Sequence, residues 1–306
     1  MKVAIVILNW NGAEDTLNCL KSIKKLKINN LKLKIIAVDN ASSDGGAIKI
    51  EEFFTEHGSL FTEHMFIKNE QNLGYSGGNN VGIREALKGK ADWVLVLNND
   101  TLVDRHLITS LLWSAKKGVG AVSPKIYFAK GYEFHKKRYK KSELGRVVWA
   151  AGGEIDWDSV YGKNIGVDEV DRGQYEEETD PGFAPGTAMF LSSETLRKTG
   201  LFDERYFMYL EDMDLSMRIR EAGYKILYQP KAVVWHKVAG SSAVGGELND
   251  YFITRNRLLF GMHYAGMRAK TALIRESVKL FFSGRKWQKI GARDFYLRKL
   301  GKGSWK

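Results

Sequence analysis

Apolar positions in the first 125 residues come in short runs separated by longer stretches of helical period. "VAIVIL" (3–8), "LKIIAV" (33–38), "HMFIK" (64–68) and "WVLVL" (93–97) are rich in β-branched residues and predict strands. Between them the period changes: in "AEDTLNCLKSIKKL", Leu17, Leu20 and Ile23 share one side of a helix that starts with acids. Alternating strands and helices predict an α/β fold, a mostly parallel central sheet flanked by helices.

Ligands of such sheets bind beyond the carboxyl ends of the strands. Here those ends read "NWNG", "VDNASSDGG", "NEQNLGYSGGNN" and "NND", all polar, with Gly or Asn prominent. Turn chemistry accounts for one or two such ends. Four at the same edge of one sheet predict a ligand site.

Residues 126–180 lose the rhythm. "YFAKGYEFHKKRYKKSELGR" is basic and irregular, "VVWAAGGEIDWDSV" reads as a hairpin, and "VDEVDRGQYEEETD" as an acidic loop. Order returns with "AMFL" as a strand and "SSETLRKTG" as a short helix, capped by Ser and closed by Gly200. A longer helix carries Leu215, Ile219 and Ala222 on one face and stops at Gly223. "AVVWH" (232–236) is one more strand, ending on histidine.

Composition narrows the class. At 306 residues with 44% hydrophobic and 27% charged positions, the chain has ample material for a core. Cys19 is the single cysteine, which excludes a disulfide framework and points to a reducing, cytoplasmic compartment. "MKVAIVILNWNG" has no small-residue cleavage site and reads as a first strand, not a signal peptide. No apolar stretch approaches the roughly 20 residues of a membrane-spanning helix. The net charge of +11 is uneven: residues 251–306 hold 14 Lys/Arg against Glu276 and Asp294, a net of +12, and the remainder is close to neutral. Within that segment Met267, Leu273, Ile274, Val278, Phe281 and Phe282 form a rough helical stripe amid Arg268, Lys270, Arg275 and Lys279, followed by Trp287. This is the pattern of a basic amphipathic helical extension suited to an anionic membrane surface, or of a helix packed on its own domain with a solvated basic face. No nucleic-acid-binding motif accompanies the charge, so nucleic acid is not an expected partner.

Four groups carry candidate chemistry. Asp100, in "NND", is a carboxylate just past a buried strand, where it can hold a hard divalent cation or simply form an Asx turn. Asp39, at the end of another strand, can accept from the imide N–H of uracil or thymine or from a ribose hydroxyl, or serve a turn. Glu211 and Asp212 open a helix, where the dipole favours acids; with Asp214 beside them they exceed what capping needs, and one can act as a general base. His236 ends a strand and is either a structural residue or a metal or phosphate ligand.

In order along the chain, "VILNWNG", "VDNASSDGG", "NLGYSGGNNVGI", "VLNNDTLV", "GLFDERYFMYLEDMDL" and "YFITRNRLL" resemble the inverting glycosyltransferases of family 2, with the GT-A fold. The resemblance covers roughly residues 1–260 and is strongest to the rhamnosyltransferase-like branch that builds surface polysaccharides. It implies a nucleotide-sugar-binding half over 1–125, an acceptor-binding and catalytic half over 126–250, and the basic extension over 251–306. It implies that Asp39 contacts the base of a dTDP- or UDP-linked sugar with Asn9 and Asn11 nearby, and that Gly74, Gly77, Gly78 and Asn79 form a loop shaped against nucleotide and sugar. Asn98 and Asn99 flank Asp100, which with His236 would bind Mg²⁺ or Mn²⁺ at the diphosphate. Asp212 would be the base, with Glu211 bonding sugar hydroxyls. The family's common metal motif has an acid where this chain has Asn98, although Asn-Asn-Asp is also familiar in the rhamnosyltransferase-like branch. The acceptor implied is a glycan or a lipid-linked glycan, and the expected location is the inner face of the cytoplasmic membrane.

Other classes stay open on the sequence alone: a nucleotidyltransferase, a sugar-binding relative without activity, or a dehydrogenase. The last should show G-x-G-x-x-G after its first strand, where this chain has "NWNGAEDT".

Overall fold

The first four strands form where the apolar runs predict them. β1 (Lys2–Asn9), β2 (Lys32–Asp39), β3 (Glu63–Lys68) and β4 (Trp93–Asn98) pair in parallel in the order β3-β2-β1-β4. Their continuous apolar character follows from burial on both faces. Val3, Ile5 and Ile7 pack with α1 (Ala13–Ile23), α2 (Gly46–His57) and α4 (Leu107–Ser114). Ala4 and Val6 face the other way, under α3 (Gly74–Lys88), α5 (Ser193–Thr199) and α6 (Glu211–Glu221). The computed structural model describes residues 1–28, 31–58, 61–238 and 246–306.

Beyond β4 the sheet continues through β10 (Ala188–Ser192), β6 (Val119–Phe128), β11 (Lys225–His236) and β5 (Thr101–Val103), with β7 (Val148–Ala150) beside β6. β6 and β11 run in the same direction as β1–β4, and β10 is antiparallel to both of its neighbours, so the mostly parallel sheet takes in an antiparallel strand between β4 and β6. Topology supplies the reason. The segment after β6 leaves from the site edge of the sheet and comes back to that edge, so the next strand must run downward. The hairpin is also displaced from its expected position. Val148–Ala150 joins the main sheet, and the hairpin is β8 (Gly153–Asp156) with β9 (Tyr161–Asn164). The acidic loop is partly internal: Asp171 accepts from Nζ of the buried Lys125 at 2.8 Å.

The last 56 residues expected as an extension form α7 (Glu247–Tyr264), α8 (Met267–Ser283) and α9 (Lys286–Tyr296), so the expected division after residue 250 falls inside α7. These helices share cores with the segment from Val160 to Met213. Leu258, Phe260, Leu273 and Ala292 pack with Val160, Phe183, Tyr206, Leu210 and Met213. Phe207 packs with Tyr251, Phe252 and Trp287. Each large side chain so buried contributes about 1.5–3 kcal/mol.

Candidate active site

The polar strand ends meet in one hydrogen-bonded chain. Asn99 Nδ2 donates to Thr16 Oγ1 at 3.0 Å, Thr16 Oγ1 to Asn9 Oδ1 at 2.8 Å, and Asn9 Nδ2 to Asp39 Oδ1 at 2.7 Å. Ser42 adds its hydroxyl to Asp39 Oδ1 and its N–H to Oδ2. Asn11, at a left-handed φ of 51°, accepts from the Ser43 N–H. The loops after β1, β2 and β4 are therefore set relative to one another before any ligand arrives. Asp39 is 3% exposed and takes three bonds from the protein, which makes it an organiser of these loops. Trp10 stands 52% exposed between Asn9 and Asn11. An indole left in water at a strand end is a signal that "NWNG" also carries.

Asp100 and His236 are brought together by the sheet. Asp100 precedes β5, which pairs antiparallel with the end of β11 so that Thr101 faces His236. The Lys237 N–H closes the pair on the Asp100 carbonyl at 2.8 Å. Asp100 Oδ1 lies 3.2 Å from His236 Nε2. Among the described residues, neither Asp100 Oδ1 nor His236 Nδ1 has a hydrogen-bond partner, although both are buried. A native structure rarely leaves buried polar atoms unpaired. One carboxylate and one imidazole at this spacing fit two ligands of a single divalent cation. Among the described residues the Asn98 side chain makes no hydrogen bond, and its backbone N–H donates to the Thr187 carbonyl at 2.9 Å.

That Thr187 contact leads to the acids. Gly186 donates its N–H to Asp212 Oδ2 at 2.8 Å and accepts from the Tyr75 hydroxyl at 2.5 Å. A Cβ at Gly186 would lie 3.3 Å from both Asp212 Oδ2 and the Tyr75 hydroxyl, so the backbone is gripped between them. Asp212 Oδ1 accepts from the Met213 N–H at 2.8 Å. Asp212 keeps part of its surface open, whereas Glu211 is buried and its Oε2 has no partner among the described residues. Burial raises both carboxyls above the ordinary range; the adjacent Asp212 charge raises Glu211 further, and the two N–H bonds restrain Asp212. Of the two, Asp212 is the carboxyl whose charge backbone N–H groups support. Asp214 is structural: it binds Arg218 Nε at 2.8 Å and the Tyr264 hydroxyl at 3.0 Å.

The family description "Glycosyltransferase like family 2" matches residues 1–261. The chain belongs to that family. It is 27% identical, over 69% of its length and 68% of the relative's, to the N-acetylglucosaminyl-diphospho-decaprenol L-rhamnosyltransferase of Mycobacterium tuberculosis. Among solved structures, a mannosyltransferase of Pyrobaculum calidifontis in complex with GDP-Man and Mn²⁺ superposes with a TM-score of 0.57 at 15% identity, covering 97% of this chain and 74% of that one. GalNAc-T7 with UDP, GalNAc and Mn²⁺ gives 0.62 at 18% identity, covering 97% of this chain and 58% of that one. The fold is GT-A, and the protein is a glycosyltransferase.

In this transferase the expected loop of Gly74, Gly77, Gly78 and Asn79 is instead the start of α3. Its glycines allow close approach to protein. Gly74 has φ +72°, and a Cβ there would lie 2.5 Å from the Phe207 carbonyl oxygen; one on Gly78 would meet Leu8 at 2.5 Å. Ser76 Oγ and Asn79 Oδ1 are buried without hydrogen-bond partners among the described residues.

The raised Glu211 carboxyl has a stability consequence. Above the ordinary carboxylate range the unfolded chain has released this proton while the folded transferase still holds it, so stability falls as pH rises through that window. Glu211→Gln is expected to raise the thermal midpoint at pH 8, by roughly 2–4 °C for each kcal/mol recovered, and to flatten the decline between pH 5 and pH 8. Thermal unfolding of both proteins at the two pH values checks this; equal slopes would place Glu211 ionised.

Proposed function

We propose that this enzyme moves a sugar from a dTDP- or UDP-linked donor to a hydroxyl of a glycan or lipid-linked acceptor, with inversion at the anomeric carbon, in surface polysaccharide synthesis. The observation that carries the reading is Asp212, half-buried at the head of α6 with its carboxylate fixed by two backbone N–H groups. Asp212 takes the proton of the acceptor hydroxyl as that oxygen forms its bond to the anomeric carbon. The bond from that carbon to the diphosphate breaks on the opposite face, and its electron pair leaves with the diphosphate. One displacement inverts the centre and needs no enzyme nucleophile. Asp100 and His236 would hold Mg²⁺ or Mn²⁺, which supplies positive charge toward the leaving diphosphate. Trp10 and the Asn9–Asp39 loops offer a surface for the base, and Ser76, Asn79 and Glu211 offer unpaired polar atoms to sugar hydroxyls. The name of the mycobacterial relative makes rhamnose the first donor sugar to test. A thermal-shift screen of nucleotide sugars with Mn²⁺ tests the reading, since a donor at 100 times its Kd stabilises by about 2.7 kcal/mol. No shift with any dTDP- or UDP-sugar would overturn it.

We place the enzyme on an anionic membrane surface at its cytoplasmic side, attached through α8. No helix among the described residues is long and apolar enough to cross a membrane. α8 carries two apolar stripes. Ala269 and Leu273 are buried, so Leu273 does not belong to the outward stripe that the sequence suggested; Trp287 is buried as well. Met267, Ile274, Val278, Phe281 and Phe282 face solvent, Phe282 at 82% exposure. Arg268, Arg275 and Lys279 run beside that outward stripe, all exposed. A second apolar stripe in water, flanked by cations, supports docking to anionic lipid. Removing α8 and α9 would empty the cores described above, so surface substitutions make the clean test. Arg268→Glu/Arg275→Glu/Lys279→Glu is expected to weaken binding to anionic vesicles by 10²-fold or more, at about 1 kcal/mol per basic side chain, with the thermal midpoint held. Unchanged co-sedimentation would leave α8 a packing element only.

A further inference from the structure

The string "YFITRNRLL" has no role in the chemistry so far. Its Arg255 and Asn256 are both 0% exposed in the middle of α7. Among the described residues Arg255 pairs with no carboxylate. Its Nη1 donates to the Gly301 carbonyl at 2.6 Å, its Nη2 to those of Arg205 at 3.2 Å and Tyr206 at 2.9 Å, and its Nε to Asn256 Oδ1 at 3.0 Å. The Asn256 amide, oriented by that last bond, donates to the carbonyls of Tyr206, Met208 and Tyr209 at 2.8–2.9 Å. A buried guanidinium without a counter-charge is costly, and it persists where it satisfies groups that nothing else can reach.

Apart from the Gly301 carbonyl, the backbone groups that Arg255 and Asn256 satisfy belong to the segment that delivers the acids. Phe207, Tyr209 and Leu210 have φ of 64°, 68° and 69°, a left-handed conformation that side chains rarely adopt, and Leu210 immediately precedes Glu211 and Asp212. Such a conformation persists only when its surroundings over-determine it. On its other side the same segment meets the donor half, where the Ser76 N–H donates to the Phe207 carbonyl at 3.0 Å and Gly74 admits the Phe207 ring. On the α7 side, Phe207 stacks on Phe252 at 5.1 Å.

Resting on the reading of Asp212 as the base, we infer that Arg255 and Asn256 are positioning residues: they clamp the left-handed segment 206–210 so that Asp212 meets the acceptor hydroxyl. The C-terminal helices are thereby part of the catalytic apparatus, although no atom of Arg255 or Asn256 touches substrate.

A double-mutant cycle on the full chain tests this, with a dTDP- or UDP-sugar that the thermal-shift screen shows to bind, single-turnover transfer at saturating donor, and donor affinity by calorimetry. Asn256→Ala is expected to lower transfer at least 30-fold with donor Kd within about threefold and the chain folded at the assay temperature. Asp212→Asn/Asn256→Ala should transfer no more slowly than Asp212→Asn alone, because both act on one step. If Asn256→Ala melts below the assay temperature, Arg255→Lys enters the same cycle, with a loss of about tenfold expected, since an ammonium cannot span the same carbonyls. Multiplying losses in the double variant, or donor affinity falling in step with rate, would reduce the pair to a folding role. An active Asp212→Asn would instead remove the base assignment itself.

Discussion

Asp212→Asn is expected to lower the transfer rate by about 10²–10⁴-fold while donor affinity stays within about threefold of wild type. The amide fills the same volume, and its oxygen can still accept from Gly186, so the backbone that links Asp212 to Tyr75 and the end of β4 stays in place. What disappears is the lone pair that takes the acceptor's proton. The neighbour responds as well. The Asp212 charge is the second cause, after burial, of the raised Glu211 carboxyl, so in the variant Glu211 releases its proton at lower pH than before. Residual activity that rises with pH in Asp212→Asn and vanishes in Asp212→Asn/Glu211→Gln would then report Glu211 acting as a poor substitute base. Turnover of Asp212→Asn within threefold of wild type would move the assignment to Glu211.

Much of the site was legible because its signals are local. A strand buried on both faces must be apolar throughout, and one that stops on "NND" or "VDN" advertises its end. Hydrophobic period says nothing of direction, so the antiparallel β10 could not be read from "AMFL". "GYSGGNN" reads as a loop because glycine weakens helices, yet here tertiary packing prevails: the glycines let α3 approach Leu8 and Phe207 more closely than any side chain allows. The charge of residues 251–306 is visible in the sequence, but nothing in that charge sets Arg255 apart from the other basic residues. Its carbonyl partners lie about fifty residues away on either side in the chain, and no spacing rule reaches that far. An arginine and an asparagine between Phe252 and Leu258 on the buried side of a helix were the only hint.

The largest expected effect on donor binding is at Asp100. Its side chain makes no hydrogen bond among the described residues, while its backbone is anchored by the Lys237 N–H, so Asp100→Ala removes little that the fold uses. It does remove the single carboxylate of the proposed cation pair and leaves an imidazole, a poorer ligand than oxygen for a hard ion. Donor affinity in millimolar Mn²⁺ should fall about 10–100-fold, and transfer by about 10²–10³-fold, since charge on the leaving diphosphate goes uncompensated. His236→Ala, which spares the carboxylate, should cost less. Calorimetry with and without EDTA separates this from a lost hydrogen bond: wild type should drop to the affinity of Asp100→Ala when the cation is removed, and the variant should not respond. Equal donor affinity of the wild type in EDTA and in Mn²⁺ would take the cation out of the mechanism and leave Asp100 and His236 as direct contacts to the donor.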